Sequence, residues 1–313
     1  MLSSKSYRVT FSFLMVISVV LPTLNGELFL FEQLSSLVNQ ECPNIVEIHI
    51  RDDGSSDNTL AVLSKFPQHT KIHADSLGRL GTCGSILQIL SQIPTSELVI
   101  FCDQDDIWEN NHVDLATRTL HHVDKPAMMI AGHTLIDEVG HTIGLKSLPS
   151  VDFHKNCLIE NVATGSGLAI NRAGLDLIRR VEFNPLLHFD HQLYIVFAFL
   201  GRIYIPNQRT IRYRIHQNNQ VGVAVAFPSK ILSFYKALRY QTLKRNLDLI
   251  EGFIFSNSNL FESSDLYREV ESVLYSRRLK FIDRVKSLRR LKISRLYFTD
   301  SVAFYALFLF GRM

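Results

Sequence analysis

Leu98-Val99-Ile100-Phe101-Cys102-Asp103-Gln104-Asp105-Asp106 sets an unbroken apolar run directly against a carboxylate cluster. The run follows the turn-like Pro94-Thr95-Ser96 and reads as a strand buried on both faces. Open α/β sheets hold their ligands beyond the carboxyl ends of such strands. Carboxylate oxygens at Asp103 and Asp105 suit a hard cation, Mg2+ or Mn2+, which in turn neutralises a diphosphate. Taken alone, the cluster reads equally as an acidic turn with a helix cap. Its meaning rests on the strands around it.

Upstream, strand and helix patterns alternate, which predicts a mostly parallel sheet with right-handed crossovers. Val16 to Leu21 forms a first strand, and Glu27 to Val38 a helix with Leu28, Phe31, Leu34 and Leu37 on one face. Ile45 to Ile50 forms a second strand that ends in Arg51-Asp52-Asp53-Gly54, and Ser56-Asp57-Asn58 caps the next helix. Lys71 to Ala74 is a short third strand, followed by a glycine-bearing loop, Ser76-Leu77-Gly78-Arg79-Leu80-Gly81, and a helix over Ser85 to Ser91. The first, second and fourth strands thus each deliver polar residues at their carboxyl ends. A carboxylate of Asp52-Asp53 suits the imide N–H of uracil or thymine, with backbone groups near Pro22-Thr23 clasping the base; a turn with an N-cap is the plainer alternative.

Downstream, Ala127 to Ala131 and Thr142 to Leu145 read as strands around the turn at Asp137-Glu138-Val139-Gly140. A small-residue loop, Asn161 to Gly167, precedes a helix from Arg172 to Arg180. A further helix is expected from Asp190 to Leu200, and a strand from Arg209 to Ile215. Beyond about Phe227 the pattern is helical. Arg277 to Arg295 carries nine Lys and Arg residues against Asp283 alone, with Leu279, Ile282, Val285 and Leu288 at helical spacing, and Val302 to Phe310 is aromatic-rich and apolar. The expected division is a catalytic domain over 1–225 and a helical extension over 226–313. The extension is basic and amphipathic, suited to an anionic membrane surface.

The 313 residues are 46% hydrophobic and 20% charged, a globular composition. A net charge of +3 gives no argument for nucleic acid. Cys42, Cys83, Cys102 and Cys157 are too widely spaced for a zinc module or a disulfide framework, which fits a reducing cytoplasm. Phe11 to Leu21 follows Lys5 and Arg8 as a signal-peptide core would, but no small-x-small cleavage site follows. A buried first strand is the expectation there.

Three segments together, Val19 to Gly26, Asp52 to Thr59 and Asp103 to Trp108, closely resemble family 2 glycosyltransferases of the GT-A fold. The likeness is strongest to the rhamnosyltransferase-like members that decorate bacterial surface polysaccharides, and it runs from about Ile17 to Gly222. It implies an inverting transfer of a sugar from a nucleoside-diphosphate sugar to a saccharide or lipid-linked glycan acceptor, on the cytoplasmic face of the membrane. By the same resemblance, Pro22, Thr23, Asn25, Asp52, Asp53 and Gly78 fall in the nucleotide region. Asp103 and Asp105 match the metal-diphosphate motif, Asp105 being the direct ligand. Asp190 matches the general base and Gly165 the glycine loop where donor and acceptor meet, with His191 alongside at the substrate. Tyr213-Arg214-Ile215-His216 opens the closing motif that runs to Gly222, so Arg214 would reach the diphosphate and His216 would be a third metal ligand. Trp108 offers an aromatic face to the sugar, or else local core.

One departure stands out: Phe189 occupies a position where many relatives carry His. It leaves open a non-catalytic nucleotide-sugar or glycan-binding relative. A sugar-1-phosphate nucleotidyltransferase fits less well, because Pro22 to Gly26 carries no basic phosphate loop.

Overall fold

The computed structural model describes residues 15–73, 77–93, 96–146, 154–158, 161–217 and 240–276. In chain order the strands are β1 (Val16–Thr23), β2 (Ile45–Asp52), β3 (Thr70–Ile72), β4 (Leu98–Phe101), β5 (Ile107–Trp108), β6 (Ala127–Ile130), β7 (Gly132–Ile136), β8 (Thr142–Leu145), β9 (Leu168–Asn171), β10 (Arg202–Tyr204) and β11 (Arg209–Arg214). The helices are α1 (Leu30–Val38), α2 (Thr59–Leu63), α3 (Gly81–Gln92), α4 (His112–Leu120), α5 (Arg172–Ile178), α6 (Phe189–Leu200), α7 (Tyr240–Ser256), α8 (Ser258–Phe261) and α9 (Asp265–Ser276). A 3-10 turn spans His154–Leu158.

The main sheet has seven strands in the order β10-β6-β9-β4-β1-β2-β3. β1 pairs in parallel with both β2 and β4, so the three strands with polar carboxyl ends are neighbours. The apolar runs divide between two cores, one on each face. Ile17, Val19, Leu21, Leu98, Ile100 and Cys102 enter the core beneath α1, α2 and α4, while Val20, Val99 and Phe101 enter the one beneath α3, α5 and α6. This two-sided burial is what an unbroken apolar strand requires.

β9 is the exception in direction: it pairs antiparallel with β4 and with β6. Its four residues carry no readable periodicity, and the sequence reading left them unassigned between the loop ending at Gly167 and the helix starting at Arg172. The reversal matters, because it brings the start of β9 to the carboxyl end of β4, where Gly167 N–H donates to Phe101 O at 2.9 Å. A second sheet, β5-β11-β7-β8, carries the Arg209–Arg214 strand over the same end.

Part of the expected helical extension lies within the described residues. Ile250, Phe253, Ile254, Phe261, Tyr267, Val270 and Leu274 join the core that holds α6, with the Phe199 and Phe261 rings stacked at 4.8 Å. Residues 277–295 and 302–310, the boundary near 226 and the end of the closing motif at Gly222 lie outside the described residues. No helix among the described residues is long and apolar enough to cross a membrane.

Candidate active site

The carboxyl ends of β1 and β2 are laced together before they can offer anything to a ligand. Asn25, in the left-handed region at φ 50°, donates its N–H to Ser55 Oγ at 2.8 Å and accepts Ser56 N–H on its side-chain oxygen at 2.8 Å. Asp57 accepts Glu27 N–H, and Glu27 in turn accepts Asn58 N–H. Asp52 closes an Asx turn by accepting the N–H groups of Gly54 and Ser55. Pro22 is half-buried and Asn25 exposed, so these residues and Asp52 line the rim.

Thr23 and Asp53, expected at the nucleotide, are both buried and hydrogen-bonded within the protein. Thr23 is 2% exposed and donates its hydroxyl to Gln104 Oε1 at 2.6 Å, while the Gln104 amide donates to Leu24 O at 3.0 Å. Gln104 therefore clamps the β1 loop. A Cβ at Gly26 would stand 2.7 Å from Gln104 Oε1, so a side chain there would displace the Gln104 amide. Asp53 is 5% exposed and turned inward, where it accepts Leu80 N–H at 2.7 Å, Gly81 N–H at 2.9 Å and the Arg51 guanidinium at 2.5 Å. Burial raises its pKa, but these hydrogen bonds outweigh it and hold the carboxyl below the ordinary range. Asp53 builds the loop that carries Gly78, whose carbonyl accepts Arg51 at 2.7 Å, rather than offering a free carboxylate.

Asp103 sits where β4 ends and β9 begins. A Cβ on Gly165 would lie 3.3 Å from Asp103 Oδ1, the close backbone approach expected of the glycine loop. Burial, then the charges of Asp105 and Asp190, push the Asp103 carboxyl up to about 7, against a hydrogen bond from Ser166 N–H. Asp190, in the first turn of α6, thus lies near enough for its charge to act on Asp103. It occupies the first turn of α6 without capping it; His188 is the N-cap residue. Phe189 points the other way, into the core, edge-on to Phe101 and stacked on Phe183. Its departure from the pattern therefore does not alter the cleft. Asp106 is fully buried; its Oδ1 accepts Arg214 N–H, and burial with Asp105 and Asp103 pushes its carboxyl well up.

Asp105 and His216 meet directly, with Nε2 2.8 Å from Oδ2. Among the described residues no three His, Cys, Asp or Glu side chains converge to hold a metal ion. Of the expected trio of Asp103, Asp105 and His216, the structure brings Asp105 and His216 into direct contact. The crowded carboxylates do fit a Mg2+ or Mn2+ held by one or two of them and completed by phosphate oxygens.

Three further residues expected at the site, Arg214, Trp108 and His191, are buried. Arg214 is 1% exposed, its guanidinium donating to Asp105 O, Glu138 O and Glu32 and lying 4.7 Å from the Phe29 ring centroid. In this position it acts as a strut between the second sheet and α1. Trp108 is 3% exposed and packs edge-on against His112, so it presents no open face. His191 donates from Nε2 to Cys157 O at 2.7 Å, fastening the 3-10 turn to α6.

The sequence reading missed Lys146. It follows β8, is half-buried and donates to Thr164 Oγ1. Burial lowers its pKa while Asp190 and Asp106 draw it back up. No local pattern marks it.

Residues 18–150 match the family model described as Glycosyl transferase family 2. The dTDP-rhamnosyl transferase RfbG of Shigella flexneri is 28% identical over 224 residues, covering 66% of this chain and 75% of its own length. An uncharacterised glycosyltransferase of Rickettsia typhi is 22% identical over 245 residues, covering 76% of each chain. The crystal structure of S. aureus TarS in complex with UDP-GlcNAc superposes with a TM-score of 0.53 at 18% identity, over 88% of this chain and 80% of that one. That likeness is one of fold, and it identifies the mixed sheet as the GT-A architecture. Over residues 18–150, a little under half of its length, the chain matches glycosyl transferase family 2, and it is a glycosyltransferase.

Proposed function

We propose that the chain catalyses inverting transfer of a sugar from a nucleoside-diphosphate sugar to a saccharide acceptor, with Asp190 as general base. One observation supports this reading: Gly165 abuts the Asp103 carboxylate at the end of β4, and the charge of Asp190, in the first turn of α6, acts on that same carboxylate. In this reading the base stands on α6 and the diphosphate-side carboxylates at the end of β4. The acceptor hydroxyl gives its proton to Asp190 as its oxygen attacks the anomeric carbon from the face opposite the leaving group. The nucleoside diphosphate departs toward Asp103 and Asp105. A Mg2+ or Mn2+ held there by Asp105 and Asp103 would offset charge on the leaving diphosphate. Gly165 lets the loop backbone come up against Asp103, and Pro22, Asn25 and Asp52 form the rim for the base and ribose.

The similarity to the dTDP-rhamnosyl transferase RfbG supports rhamnose as the donor sugar, and the reading extends to a cell-surface polysaccharide as the product. The basic, apolar character of residues 277–310 supports docking on an anionic membrane surface, where a lipid-linked acceptor would be met on the cytoplasmic face. The test is nucleotide release from a panel of UDP-, dTDP- and GDP-sugars with Mn2+, run with wild type and Asp190→Asn. Turnover of dTDP-rhamnose above the rest supports the donor assignment. Wild-type turnover in Asp190→Asn contradicts the mechanism.

A further inference from the structure

A file of polar side chains crosses the otherwise apolar layer beneath α3. Ser18 on β1, His49 on β2 and Ser96 ahead of β4 are buried. Ser96 Oγ lies 2.5 Å from Ser18 Oγ, and Ser18 Oγ lies 3.4 Å from His49 Nε2. On the other side of that ring, His49 Nδ1 lies 2.9 Å from His73 Nε2, and His73 Nδ1 meets Oε1 of Gln92, the last residue of α3, at 2.5 Å. The two imidazoles are 17° from coplanar with centroids 5.2 Å apart, so nitrogen meets nitrogen at the ring edges, as in a hydrogen bond and not in a face-to-face stack. Glu47, two residues before His49 on β2, sets one oxygen 3.4 Å from His49 Nε2 and the other 2.6 Å from Lys71 Nζ on β3.

Protons in this file can be assigned from the chemistry of each atom. Two facing ring nitrogens hold one proton between them, because two N–H groups or two bare lone pairs repel. The Gln92 oxygen only accepts, which places a proton on His73 Nδ1. His49 Nε2 has two ways to be satisfied. Bare, it accepts the Ser18 hydroxyl, which in turn accepts Ser96; protonated, it faces the Glu47 carboxylate. The contacts are therefore complete with both rings neutral and with one excess proton on the pair. A second excess proton sets N–H against N–H and breaks them. The charged groups acting on the pair are Glu47, which favours protonation, and Lys71, which opposes it; Ser18, Ser96 and Gln92 are neutral. Burial and then the charge of His73 hold His49 down to about 4, with Glu47 pulling the other way.

We propose that His49 and His73 form a pH-sensitive latch: the one proton between their facing nitrogens fastens the edge strand β3 to β2 and to the end of α3, and protonation of both rings opens it. β3 is suited to such control. It is three residues long, stands at the outer edge of the sheet and leaves Ile72 48% exposed. Its other ties are backbone pairing with Ile48–Ile50 and the His73 N–H donating to Ile50 O at 2.8 Å. The latch is separate from the transfer chemistry. A purely structural pair would loosen β3 when removed, without making its hold depend on pH.

The test is NMR of the full chain labelled with 15N-histidine, together with amide hydrogen exchange at residues 70–73, corrected for intrinsic rates, from pH 7.5 down to 4. Wild type, His73→Gln and Glu47→Gln are compared. At pH 7.5 a 15N–15N coupling through the shared hydrogen should join His49 Nδ1 to His73 Nε2. It should vanish toward pH 4, and protection of residues 70–73 should fall with it by roughly 3- to 10-fold, the worth of one hydrogen bond, while β1 keeps its protection. His73→Gln should lower protection at pH 7.5 and remove most of its pH dependence. Glu47→Gln should move the wild-type loss to lower pH by up to about one unit, because the carboxylate that favours protonation is gone. Absence of the coupling at pH 7.5 overturns the proposal. So does protection at residues 70–73 that ignores pH in wild type, or that falls equally in wild type and His73→Gln.

Discussion

His216 Nε2 lies 2.8 Å from Asp105 Oδ2, which ties the end of the β11 strand to the carboxylate cluster beyond β4. The Phe29 ring, 5.0 Å from the imidazole, packs on its other side. The pair fixes the orientation of Asp105 before any donor arrives. His216→Ala should therefore weaken Mn2+-dependent binding of UDP or dTDP by roughly 10- to 100-fold while leaving the fold intact. Calorimetric titration measures this, and unchanged affinity would show that Asp105 needs no such support.

Asp103 gives stability a pH dependence of defined sign. Its folded pKa, about 7, is raised from an ordinary 3.8 by burial and by Asp105 and Asp190. Below the ordinary value both folded and unfolded chains are protonated there, and no penalty exists. As pH rises from there to about 7 the unfolded chain ionises first, so stability is lost, and the full penalty stands above the folded pKa. Asp103→Asn should raise Tm by about 2–4 °C at pH 8, the shift of about 1 kcal/mol in a chain this size, and by nothing near pH 4. Differential scanning at the two pH values checks this. A gain of equal size at both would exclude titration as its origin.

Arg214 holds three backbone and side-chain partners in a buried position. Removing it strands the carbonyls of Asp105 and Glu138, each at a cost of about 1–3 kcal/mol if water cannot reach it. Its ion-pair partner Glu32 is 57% exposed, so Glu32→Ala should cost about 1 kcal/mol or less. Urea denaturation of Arg214→Met and Glu32→Ala separates the two. If Arg214→Met were as stable as wild type but lost donor affinity, its role as a strut would be wrong.

Gly26→Ala should disturb the rim through Gln104, since its new Cβ would meet Oε1 at 2.7 Å. The amide would have to leave Thr23 and Leu24, freeing the loop that holds Asn25. Nucleotide affinity should fall in both Gly26→Ala and Gln104→Ala, and combining them should add little, because both release the same clamp. Independent losses in the double variant would argue against that common cause.

How far the site was legible in the sequence depended on which way each side chain turned. The β4 run and its carboxylates could be read because two-sided burial leaves an unbroken apolar stretch and the chain must then exit at the strand end. Asp103 was singled out for that reason, whereas Gly165 and Asp190 were singled out only by the family resemblance. Thr23, Asp53, Arg214 and His191 are polar residues in the right places, but their directions are set by partners distant in sequence. Gln104 takes the Thr23 hydroxyl from 81 residues away, and Glu32 takes Arg214 from 182. No local pattern encodes such pairings. Lys146 was invisible for the same reason, standing alone at the end of a short exposed strand. β9 escaped because four residues are too few to display a period, yet its reversed direction is what sets the glycine loop against Asp103.

The most direct measurement of the central claim is nucleotide release from the turned-over donor by Asp190→Asn, together with UDP and dTDP binding to the same variant. The account expects release to fall by about two to four orders of magnitude, the contribution of a positioned base, while nucleotide affinity stays at the wild-type level. Release at the wild-type rate with affinity retained would contradict it, and would move the base to another residue of the cleft.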